Sequence, residues 1–224
     1  MKNIFSFNTH IAEAIDHFLT EDDWHYEFDK EQGIFQFNLS IKNTLKKLQY
    51  QIHVGSDDFI VYATSPIGAD QDNAEMIAKM AEFVCRANSV LRCGCFTYDH
   101  RDGELGFKVY VDCDGISSPS EEMIKNSIYC PAHMFNRYGG GILDIIFHNA
   151  DAKEAVLQCE KQTAESIKSI LDSFSDCEDD YEGISELLAE AKKILGIAGT
   201  DDTDSERSDT DEESIMESQE AETE

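Results

Sequence analysis

The chain has few basic residues, no long apolar run and none of the short motifs that announce a reaction. Lysine and arginine number 18 against 46 aspartates and glutamates, a formal net charge of −28 over 224 residues. A chain this acidic is repelled by nucleic-acid phosphates and by anionic membrane surfaces, so neither is expected as a partner. The charge favours a basic partner, or simply solubility. No stretch approaches the ~18 apolar residues that cross a bilayer. Polar residues from Ser6 to His10 cut short the apolar start, unlike a secretory signal. A soluble, cytoplasmic chain is the expectation. Also missing are a Gly-x-Ser-x-Gly elbow, a His-Glu-x-x-His pair, a Walker loop and a dinucleotide fingerprint. The sequence names no reaction, and no cofactor is expected.

The seven cysteines are odd in number and irregularly spaced: Cys85, Cys93, Cys95, Cys113, Cys130, Cys159 and Cys177. They do not read as a disulfide framework, and reduced thiols are the default. Cys93-Gly94-Cys95 with Cys113, Cys130 and His133 raises the question of zinc, which needs thiolates converging on one point. Side-chain alternation argues against it. If Phe96 and Tyr98 share a face with Phe107 and Val109, Cys93 and Cys95 point away from Cys113. No metal site is expected.

What the chain does contain divides it into unlike parts. Up to residue 172 strand and helix patterns alternate, enough for one domain. Residues 173–181 read as an acidic linker, 182–197 as an amphipathic helix, and 198–224 as a disordered acidic tail almost without apolar residues. Within the domain, Asn8 or Thr9 caps a helix with Ile11, Ile15, Phe18 and Leu19 on its stripe. Period-two runs follow: Trp24, Tyr26, Phe28; Phe35, Phe37, Leu39; Leu48, Tyr50, Ile52, Val54; then residues 59–63. Their short connections imply antiparallel neighbours. Setting Phe37 opposite Tyr50 and Val54 opposite Phe59 gathers the apolar side chains on one face, which must be covered. A second helix, capped by Asp72 or Asn73 and carrying Met76, Met80, Phe83 and Val84, is the expected cover. A hairpin follows, with Phe96 and Tyr98 returning through Leu105, Phe107 and Val109. Gly115 and Ser118-Pro119-Ser120 start a third helix, which Pro131 bends or breaks. Gly139, Gly140 and Gly141 read as a hinge interrupting it, and residues 142–147 as a buried run. Asp151 caps a fourth helix. The fold class is α+β, an antiparallel sheet with helices packed on one face.

Two places are candidates for recognition. Ile184, Leu187, Leu188, Ala191, Ile194 and Leu195 form an apolar stripe flanked by acidic residues. A helix this short is marginal alone, so it must pack on its own domain or lie in a partner's groove. Arg137, within Phe135-Asn136-Arg137-Tyr138, could contact a partner or sit in a surface ion pair. Thr203, Ser205, Ser208, Thr210 and Ser214 lie in the acidic context that acid-directed kinases favour, or merely solvate the tail.

The order of elements, together with particular stretches, resembles the YbjN family over about residues 9–160. The stretches are Ala87-Asn88-Ser89-Val90-Leu91 running toward Phe96-Thr97-Tyr98-Asp99, then Gly103-Glu104-Leu105. Phe135-Asn136-Arg137-Tyr138, residues 142–147 and Asp151-Ala152-Lys153-Glu154-Ala155 complete them. The acidic extension departs from the short members of that family. The resemblance implies a fold like that of type III secretion chaperones, which bind other chains and often form dimers. It implies a non-enzymatic adaptor or regulator with a protein client, and transfers no catalytic residue. The alternative is an enzyme with a His- and Cys-containing site.

Overall fold

Side chains on a strand alternate between two faces, and that alternation organises this molecule. In the computed structural model, which describes residues 7–175, six strands form one antiparallel sheet. They are β1 (Tyr26–Asp29), β2 (Ile34–Ser40), β3 (Lys47–Val54), β4 (Asp58–Thr64), β5 (Cys95–Tyr98) and β6 (Leu105–Asp112), in spatial order β1-β2-β3-β4-β6-β5. The register follows the apolar pattern: Phe37 faces Tyr50, Phe35 faces Ile52, Ile52 faces Val61 and Val54 faces Phe59. β6 extends it, with Val109 opposite Val61 and Phe107 between Ala63 and Phe96. These side chains are buried on one face. The expected helix at 182–197 and tail at 198–224, with Ile184, Leu187, Leu188, Ala191 and Leu195, lie outside the described residues.

Each helix starts where a short polar side chain satisfies a free amide. Asn8 accepts from His10 at α1 (Thr9–Glu21), and Asn73 accepts from Met76 at α2 (Ala74–Asn88). Ser120 accepts from Met123 at α3 (Glu121–His148), and Asp151 from Lys153 and Glu154 at α4 (Ala152–Ser175).

The cover of the sheet differs from the expectation. α3 lies against β4 and β6, α2 covers the β5 margin, and α4 packs outside on α2 and α3. The reason lies in the glycine triplet, which does not interrupt α3: the helix runs unbroken through Pro131 and Gly139, Gly140 and Gly141. A Cβ on Gly141 would stand 2.7 Å from the Phe83 ring of α2 and 2.9 Å from Cys159 Sγ of α4. The missing side chain is what lets three helices close together. With α3 made continuous, its buried stripe grows long enough to serve as the main cover, through Ile124, Ile128, Phe135, Tyr138, Ile142 and Ile145. The run 142–147 is not wholly buried, because a helix turns each successive residue by about a hundred degrees. Phe147 is 65% exposed.

At the β5 edge, Asn88 behaves as one more residue of sheet. Its side-chain amide donates to the Phe96 carbonyl at 3.0 Å, and its carbonyl accepts from the Phe96 amide at 2.7 Å.

Candidate functional site

Two surfaces lie outside the core. The first is a cleft of about 550 Å³ where the β2–β3 connection meets α3 and α4, lined among others by Lys42, His133, Asn136, Arg137, Gln162 and Ser166. Asn43 fixes its wall by donating to the Phe135 carbonyl at 2.6 Å while accepting from the Leu45 amide at 2.9 Å. Arg137, singled out in the sequence, stands here as a half-buried ion pair. Its Nη2 lies 3.1 Å from Glu160 Oε1, and the Tyr138 phenol donates to that same oxygen. Burial above all, and then the neighbouring Glu160, push the Tyr138 phenol well above its usual range, so it remains a donor. The guanidinium carbon sits 5.1 Å from the Tyr138 ring centroid, and Nε is buried without a hydrogen-bond partner. Glu160 thus uses part of a five-donor fork. What remains suits a carbonyl or carboxylate oxygen at the cleft.

The second surface is the face of the sheet opposite the core. Its side chains form cross-strand rows. One row runs Glu27, Gln36, Gln51, Tyr62, Lys108 and Cys95; its neighbour runs Asp29, Ile34, His53, Ile60 and Tyr110. The Tyr62 ring is held in place, with the His53 ring 5.1 Å away and Lys108 Nζ 6.0 Å from its centroid. His53 Nε2 lies 3.1 Å from Gln51 Oε1, and partial burial lowers the imidazole pKa. Tyr110 is 54% exposed. Over β1–β3 the twisted sheet leaves an open depression of about 530 Å³ between Glu27, Gln36, Asn38, Gln49 and Gln51. The carboxylates Glu27, Asp29, Asp58 and Asp112 sit toward the margins, and the middle carries aromatics, isoleucines and amides. The apolar half of each alternation marks the core and leaves this face unmarked in the sequence. Its signal is Tyr62 and Tyr110, aromatic residues at positions that alternation turns outward.

Cys95 lies on this face opposite Lys108, whereas Cys113 is buried. Among the described residues no three His, Cys, Asp or Glu side chains converge as a metal site would require. Cys93 and Cys130, grouped in the sequence only within a possible metal cluster, do come together. The stripe at Ile184, Leu187, Leu188, Ala191 and Leu195 lies outside the described residues, so Arg137 alone of the expected recognition residues has a described environment. Compared with protein-family models, with curated proteins and with solved structures, the chain matches none.

Proposed function

We propose that the chain is a non-enzymatic protein-binding module, an adaptor or regulator of the chaperone-like kind that the YbjN resemblance implies, working in the cytoplasm. The observation that carries this reading is the open sheet face. In a chain of net charge −28, its centre holds Ile60 and Tyr62 beside His53 and Gln51, with Lys108 as the central cation, while Tyr110 borders the Asp58 and Asp112 carboxylates. Depletion of charge with enrichment in tyrosine is the composition of an interface centre. Rigid aromatic side chains lose little freedom on docking, and marginal carboxylates reject acidic surfaces. The partner is a protein with an uncharged or basic docking surface, or a second copy of this chain. Among the described residues no helix is long and apolar enough to cross a membrane.

The test compares the full chain with a Tyr62→Asp, Tyr110→Asp variant. Both side chains lie off the core face, so circular dichroism should remain unchanged. Proteins retained by the immobilised natural chain should be lost from the variant, and any dimer seen by sedimentation should dissociate. Equal retention and equal sedimentation by both chains would refute the proposal.

A further inference from the structure

Cys93 and Cys130 are 37 positions apart in sequence, yet the Cys130 thiol reaches the Cys93 backbone carbonyl. Cys130 is on α3, one residue before Pro131, and its Sγ lies 3.9 Å from the Cys93 carbonyl oxygen and within hydrogen-bonding reach of the Cys93 thiol. Two features hold Cys93 there. Gly94 takes φ +68, and a Cβ on it would stand 2.7 Å from the Lys108 carbonyl, so the turn is closed tightly on β6. Just beyond, the two hydrogen bonds from Asn88 pin Phe96. The pair is also unequal in access: Cys93 is exposed, whereas Cys130 is partly buried behind it.

We propose that Cys93 and Cys130 are a peroxide-responsive thiol pair, with Cys93 as the attacking sulfur and Cys130 as the resolving one. A hydrogen bond from Cys130 favours the Cys93 thiolate, drawing its pKa down to about 6 against an opposing contribution from burial. The same contact, and then burial, raises the Cys130 thiol, which keeps its proton until the second step. The Cys93 thiolate attacks one oxygen of hydrogen peroxide. The O–O bond breaks, hydroxide leaves and takes up a proton as water, and Cys93 becomes a sulfenic acid. Cys130 then attacks the Cys93 sulfur. The S–O bond breaks, and the departing hydroxide combines with the Cys130 proton as a second water. Two thiols lose two electrons and two protons, and one peroxide becomes two waters. The disulfide ties the turn before β5 to the middle of α3.

The test treats the full, reduced chain with hydrogen peroxide and maps its peptides without reduction. A peptide joining Cys93 to Cys130 should dominate. In Cys130→Ser the same treatment should leave Cys93 as a sulfenic acid trapped by dimedone. At about pH 6, iodoacetamide should label Cys93 about tenfold faster than a free cysteine peptide, the gain in thiolate fraction outweighing the loss in intrinsic nucleophilicity. The proposal fails if no Cys93–Cys130 peptide forms, or if it is no more abundant than links made by exposed Cys85 or by Cys95. It fails equally if Cys93 is labelled no faster than the free peptide. Peptide mapping and labelling both use the natural chain, so either result stands even where the variant misfolds.

Discussion

Adjacent glycines in α3 make opposite demands. Gly140 is exposed, and a Cβ there meets nothing within 4 Å, whereas Gly141 is wedged between Phe83 and Cys159. Gly140→Ala should stabilise by about 0.5–1 kcal/mol through the unfolded chain, and Gly141→Ala should destabilise by about 1–3 kcal/mol through overpacking. Urea unfolding of the two variants checks both signs, and equal signs would remove the packing role assigned to Gly141. Sequence alone could not separate them, since glycine reads as freedom whether the cause is mobility or crowding. Phe37 is the reverse, a residue whose role was legible from its position. It is buried, stacks on Tyr50 at 5.1 Å and meets Trp24 edge-on. Phe37→Ala should cost about 3–5 kcal/mol in the same unfolding measurement. His53 adds a pH dependence. Burial lowers its pKa in the folded state, so the unfolded chain binds the proton first as pH falls. Its contribution to stability is therefore full above the ordinary histidine range and declines on acidification through about pH 6.5. His53→Gln should show a shallower loss of stability between about pH 7.5 and about pH 5.5 than the natural chain. An unchanged slope would assign the acid sensitivity elsewhere.

At the scale of elements, strands and caps were readable, and the layer above them was not. Strand pairing follows from a period of two and short turns, which are local facts. Which helix lies on the sheet depends on how α2, α3 and α4 share space, and that was set by a glycine triplet whose crowded neighbours are remote in sequence. Arg137 shows the same boundary. Its place on a helix was visible, but the helix runs on past it to His148, and its partner Glu160 comes from α4, 23 residues later. The open sheet face is implicit in the alternation, as the complement of the core-facing set. The Cys93–Cys130 contact is not, because it needs the position of α3 over β5.

For the whole molecule, the separation between a folded part and an acidic extension has a direct test. Residues 200–224 contain only Ile215 and Met216 as large apolar side chains, so their removal withdraws almost nothing a core could use. Truncation after Gly199 should leave the melting temperature nearly unchanged, and a fall of several degrees would mean that the tail packs on the domain. The Asn88 contact also bears on the molecule as a whole. An open sheet has two margins, each an invitation for another chain to extend the ladder. At one margin Asn88 occupies both outward backbone groups of Phe96, and at the other β1 is four residues long with Glu27 and Asp29 on it. Copies of this protein meeting at high concentration would find the Phe96 rung already taken at one margin, and only a short strand carrying two carboxylates at the other.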